Sequence, residues 1–256
     1  MYKFNPNFYA DIRIEDRFAT NVLIKNGNLD EAKETTEVKA FIRVFDGKMW
    51  YYTSTVDIDN IQQALDELYG YATPNPDIAN NAIVARYQVN KDVKLRFTDC
   101  SVRNVSLADK IKLVADTGAK LVSPMSNIIN ARYIDRNSLY KFYSSKGADI
   151  TYDFQTAGES YAMGFTKGEE TMYEALSHAL TRFDQLGYTD KQLADFVAEC
   201  ENYITNAKPV TAGSYPVVFA PDVTGVFAHE SFGHKSESDF MLGDETMARE
   251  WQIGKK

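Results

Sequence analysis

The chain has 256 residues, with 28 Lys+Arg against 36 Asp+Glu, a formal net charge of −8, and 44% hydrophobic and 25% charged residues. At roughly 100–200 residues per domain this is one large domain or two ordinary ones, and the composition excludes disorder and collagen-like repeats. The acidic balance without a Lys/Arg cluster argues against direct nucleic-acid binding, which draws its affinity from clustered cations. No stretch approaches the roughly 18–20 continuous apolar residues that cross a membrane, and the N-terminal segment is charged and broken by Pro6. Cys100 and Cys200 lack CxxC spacing, so the expectation is a reducing, cytoplasmic setting without a disulfide framework.

Phe8–Ile14, Val38–Phe45 and Lys48–Ser54 alternate apolar with polar residues, the period of strands half-buried on one face. Asp46-Gly47 between the second and third reads as a two-residue hairpin turn, and Asn26-Gly27 carries the same chemistry. Asp59–Tyr69 places Ile61, Ala64, Leu65 and Leu68 at helical spacing and closes on Gly70. Asp57, Asp59 and Glu67 are acidic residues around that helix start, favourable to its dipole. Ser106–Leu121 reads as a helix with Ser106 as N-cap. Tyr140–Phe154 and Glu159–Phe165 read as strands around turns at Lys146-Gly147 and Ala157-Gly158. Glu169–Leu186 and Asp190–Asn206 read as two helices joined at Gly187.

Helices interspersed with hairpins predict an α/β (α+β) domain over residues 1–206, a mixed sheet with antiparallel hairpins covered by helices. Ala207–Pro216, with two prolines and a glycine, is the expected boundary, and residues 207–256 begin a second domain. There, short apolar strands are expected at Val217–Ala220 and Gly225–Ala228, with a turn at Pro221-Asp222.

Two of the three histidines fall in His229-Glu230-Ser231-Phe232-Gly233-His234. Neutral imidazoles bind zinc, two on one short helix supply half of a tetrahedral site, and an adjacent Glu can take a proton from an activated water. The spacing is five rather than four. At about 100° per residue, residues five apart diverge by roughly 140° on a regular helix. Sharing one ion therefore requires a kink or a π-bulge, with Gly233 the residue that tolerates it. The local pattern alone is also that of a polar helix start whose histidines are merely satisfied. His178, off the apolar stripe of its expected helix, reads as a surface histidine, and Cys100 and Cys200 read as core thiols. Tyr161–Gly168 has glycines but no phosphate-loop pattern.

Gly225–Asp239 closely resembles the signature of the TldD/PmbA metallopeptidases, an apolar strand leading into HExxGHxxExD. Phe8–Ile14, the Asp46-Gly47 hairpin followed by Thr53-Ser54, and Tyr215–Pro221 resemble the family's other blocks. The resemblance implies a zinc peptidase with His229 and His234 as ligands and Glu230 as general base; Glu237 and Asp239 match the tail of the motif and read as groups that orient the ligands, with direct metal binding the alternative. It further implies unfolded peptides as substrates and paired subunits, a homodimer or a heterodimer with a related subunit, enclosing a chamber. Members have also been named modulators of DNA gyrase. Family members are longer, and their third ligand, a cysteine, comes from a C-terminal half absent here. The expectation is thus an incomplete and inactive chain, whose non-catalytic alternative is a binding or assembly partner.

Overall fold

The computed structural model describes residues 2–252 and 254, and the chain divides into two compact units, the first ending at Ala207 and the second starting at Lys208. The first is a seven-stranded sheet with helices: β1 (Tyr9–Lys25), β2 (Asn28–Phe45), β3 (Trp50–Thr55), α1 (Ile61–Tyr71), α2 (Ala82–Arg86), β4 (Lys91–Lys94), α3 (Leu107–Gly118), β5 (Ser126–Ser144), β6 (Asp149–Lys167), β7 (Glu170–Leu180) and α4 (Asp190–Asn206). The order is β3-β2-β1-β5-β6-β4, with β7 also on β6, and every pairing is antiparallel except β4 with β6. β4 takes Asp149–Tyr152 of β6 and β7 takes Ala157–Lys167, so the two share its outer edge end to end.

Turn chemistry sets the hairpins. Asn26 and Gly27 both have positive φ (48° and 78°), and Lys25 pairs with Asn28, the two-residue turn their chemistry favours. The Asp46-Gly47 hairpin forms between β2 and β3, but Phe45 pairs with Trp50, leaving four residues in the loop rather than two. The reason lies in Asp46: its carboxylate accepts from the backbone N–H of Lys48 and of Met49, both at 2.8 Å, an Asx-type closure that leaves only Gly47 (φ 100°) left-handed. Gly147, at φ 95°, turns β5 into β6.

Ile61, Leu65 and Leu68 of α1 bury against Ala10, Ile12, Ala40, Ile42 and Val44. A second cluster packs Val114 of α3 and Leu193, Val197 and Cys200 of α4 on Val22, Tyr133, Tyr161, Met163 and Phe165. Ser106 caps α3 through the Asp109 N–H, and Thr189 with Gln192 forms a capping box on α4. Lys110 of α3 is fully buried, its Nζ 2.9 Å from Asp135 and 2.8 Å from the Thr20 hydroxyl, so the charge is paired where it is desolvated.

Four expectations are corrected. Residues 170–180 form β7, not a helix. Glu, Met, Ala and Leu favour helix, yet residues 170–180 pair in register with β6, and the inward positions Met172, Leu176 and His178 follow period two. Ala157-Gly158 is no turn but lies inside β6, where a Cβ on Gly158 would stand 3.3 Å from the Ala179 side chain and the His178 carbonyl. The apolar strands expected at Val217–Ala220 and Gly225–Ala228 do not form: the former is irregular, and the latter ends the helix α5 (Pro221–Ala228). Pro221 sits in its first turn with Asp222, so the pair read as a turn is a helix start.

The second unit continues from α5 through a π-helical turn (His229–Gly233) and a 3₁₀ turn (His234–Ser236) into α6 (Ser238–Gly243) and α7 (Glu245–Glu250). None of its residues with described burial is buried.

Candidate metal centre

The register change is where the histidines meet. The His234 N–H donates to the carbonyl of His229, a five-residue bond in place of the four-residue α bond, which brings residues five apart onto one side. Serine hydroxyls bond back into both register changes: Ser231 Oγ donates to the Phe227 carbonyl at 2.6 Å and Ser236 Oγ to that of Phe232 at 2.9 Å. Gly233 keeps ordinary right-handed dihedrals (φ −56°, ψ −58°), so the turn does not depend on left-handed backbone. A Cβ there would touch the His229 ring at 3.8 Å, in normal van der Waals contact.

The His229 and His234 rings lie edge to face with centroids 4.4 Å apart. Ligand atoms of His229, Glu230 and His234 all lie within 4.8 Å of one another. His234 Nε2 stands 3.7 Å from a Glu230 oxygen, while its Nδ1 is 2.7 Å from Glu237 Oε1. Two imidazoles and a carboxylate, open to solvent and converging on one point, are a donor set that suits a divalent transition metal. Asp239, in the first turn of α6, makes no hydrogen bond or ion pair among the described residues.

The other singled-out residues lie in the first unit. Cys200 is buried on α4 with its thiol pushed up to about 11, chiefly by burial and then by Glu174 and Glu199, opposite to the thiolate a metal ligand needs. Cys100 is half-buried in a turn beyond β4. His178 corrects the surface reading: on β7 its side chain is 28% exposed, its ring packs on Tyr188 at 4.5 Å, and Nε2 stands 3.3 Å from Glu159 Oε1. Glu159 itself is wholly buried, accepting from the Tyr161 hydroxyl and the Gly187 N–H. Tyr161–Gly168 runs along β6 into a turn. Sequence reasoning missed the Ser231 and Ser236 hydroxyls, whose signal is a serine four residues after the carbonyl it serves.

Fold and motif together relate the chain to the TldD/PmbA family of metallopeptidases. Residues 10–72 match the model of PmbA/TldA metallopeptidase domain 1. A metalloprotease of Archaeoglobus fulgidus is 24% identical over 248 residues, covering 94% of this chain and 55% of that protein. A zinc metalloprotease TldD homolog of Saccharolobus solfataricus is 26% identical over 246 residues, covering 91% and 51% respectively. Such coverage carries both matches past domain 1 into the second unit. The chain spans about half the length of the curated relatives it matches. Among solved structures, a candidate modulator of a DNA gyrase from Thermotoga maritima shares the fold at a TM-score of 0.63 and 12% identity, covering 80% of this chain and 46% of that one. No helix among the described residues is long and apolar enough to cross a membrane.

Proposed function

We propose that the chain carries the zinc-binding turn of a peptidase that hydrolyses unfolded peptides. What supports this above all is the π turn, which converges His229, Glu230 and His234 at a spacing that a regular helix would scatter. His229 and His234 would hold the zinc. When bound, the ion supplies Lewis-acid polarisation of the peptide carbonyl and of the attacking water. Glu230, adjacent in sequence to one imidazole and 3.7 Å from the other, takes the proton from that water and returns it to the leaving amine. A further protein ligand would come from the part of the relatives' length that this chain does not span. Peptide substrates, action as paired subunits and a cytoplasmic setting complete the reading: the relatives' metalloprotease names support the first, the second rests on the family resemblance alone, and the cysteine usage supports the third.

The test is made in the protein of the relatives' full length. Glu230→Gln keeps size and both imidazoles but removes the proton acceptor. Turnover of an unstructured peptide should fall by a factor on the order of 10²–10⁴ with zinc content unchanged. His229→Ala should lose zinc and turnover together. Near wild-type turnover by Glu230→Gln at full zinc occupancy would overturn the mechanism.

A further inference from the structure

The His234 ring is held from both sides, and only one side belongs to the converging donor set. Its Nε2 faces Glu230 at 3.7 Å and the His229 ring. Its Nδ1 meets Glu237 Oε1 at 2.7 Å, a full hydrogen-bond length rather than a loose approach. An ionised carboxylate can only accept, so in the neutral ring Nδ1 carries the proton and the Nε2 lone pair is left free. That lone pair is directed to the space shared with His229 and Glu230.

The backbone fixes this contact. The Glu237 N–H donates to the His234 carbonyl at 3.1 Å, closing the 3₁₀ turn that places the carboxylate three residues after the ring. The Ser236 hydroxyl ties the same turn to the Phe232 carbonyl. Glu237 itself is extended (φ −74°, ψ 134°), at the point where one helix stops and α6 starts. Asp239, two residues on, shares the acidity but not the contact.

We propose that Glu237 is the positioning residue of the metal turn, accepting the Nδ1–H of His234 and so fixing both the tautomer and the ring orientation that present Nε2. Carboxylates in this role act on affinity through the ligand they hold, and their loss costs metal affinity about 10–100-fold. The inference rests on the reading of His234 as a zinc ligand, and the experiment separates the two.

Two readouts are taken on the protein of the relatives' full length: zinc affinity by competition with a chromophoric chelator, and the His234 tautomer by long-range ¹H–¹⁵N NMR on the zinc-free protein near pH 8, where an ordinary imidazole is neutral. The unvaried chain should show His234 protonated at Nδ1. Glu237→Ala should shift it to a mixture of tautomers and weaken zinc 10–100-fold, with circular dichroism unchanged. Glu237→Gln, whose carbonyl still accepts from Nδ1–H, should keep the tautomer and most of the affinity. An unchanged tautomer in Glu237→Ala overturns the proposal. So does a Glu237→Gln variant that keeps the tautomer yet loses zinc as fully as Glu237→Ala, because that makes Glu237 a ligand in its own right. If the full-length protein takes up no zinc, the metal reading fails, while the tautomer still decides what Glu237 does to His234.

Discussion

The molecule brings histidine and glutamate together twice, with opposite physical settings. Around Glu159 the carboxylate is wholly buried, the Tyr161 hydroxyl and the Gly187 N–H donate to it, and the His178 ring packs at a tilt against Tyr188 beside it. Around Glu230 the side chain is 65% exposed, and the neighbouring nitrogens and oxygens converge without using one another up. A carboxylate already saturated by its own chain has nothing to offer a ligand. The difference teaches that convergence with unspent lone pairs, rather than the residue types, distinguishes a candidate site from a packed polar core.

If that distinction holds, variants in the two places act on different observables. The largest effect is expected at Glu230, where the Gln variant described above loses 10²–10⁴ in turnover without moving the unfolding midpoint of the first unit. Next comes Tyr161→Ala. Tyr161 is fully buried in the cluster under α3 and α4 and donates to Glu159 at 2.5 Å. Truncation leaves a cavity and an under-satisfied buried carboxylate, costing about 3–5 kcal/mol in chemical denaturation. Zinc affinity should stay unchanged. A drop in zinc affinity would show that the two places are coupled and would break the comparison.

The same distinction explains what was legible in the sequence. Signals that act within a few residues read correctly: the Asn26-Gly27 turn, the Ser106 cap and the stripe of Asp190–Asn206 each depend on local backbone chemistry. Residues 170–180 did not, because their strand identity comes from pairing with β6, a partner that local propensity does not see. The first half of β5 alternates Ile129, Ala131 and Tyr133 with Asn130 and Arg132, but Asp135, Arg136 and Asn137 break the apolar face, and the strand is held by neighbours on both sides. Between His229 and His234, sharing one ion at a spacing of five demanded a departure from α geometry, and a π turn is present. The serine hydroxyls that bond back to the Phe227 and Phe232 carbonyls were hidden among ordinary polar residues. Gly225–Ala228 was misread because Val and Phe suggest strand, whereas Pro221 and Asp222 start a helix upstream.

A smaller effect is expected at the β2–β3 loop. Burial alone would raise the Asp46 carboxyl, but the N–H groups of Met49, Lys48 and Thr73 and the Tyr51 hydroxyl outweigh it and hold the group below the usual carboxylate range. A folded value below the unfolded one stabilises at neutral pH, and that stability is lost as pH falls through the depressed folded value. Asp46→Asn should cost about 1–3 kcal/mol at neutral pH, the range for hydrogen bonds to a charged group. It should also flatten the acid limb of stability below about pH 4. An acid limb as steep as that of the unvaried chain would remove Asp46 from the account.

The smallest effect, and the sharpest test of the contrast between the two histidine settings, is expected from His178→Phe. His178 Nε2 is buried and makes no hydrogen bond, although a Glu159 oxygen stands 3.3 Å away, so the angle rather than the distance is wrong. What the ring contributes is its tilted packing against Tyr188 and its contact with the sheet, both of which a phenyl ring reproduces. Glu159 keeps its donors from Tyr161 and Gly187. Stability should therefore change by less than about 1.5 kcal/mol, as for shape-conserving core exchanges, and zinc affinity should not change at all. His234→Phe makes the matching exchange in the other setting and should abolish zinc binding while leaving the unfolding of the first unit untouched. A loss of several kcal/mol in His178→Phe would mean that the ion pair with Glu159 carries energy the geometry denies it, and that the buried cluster is an electrostatic device rather than packing.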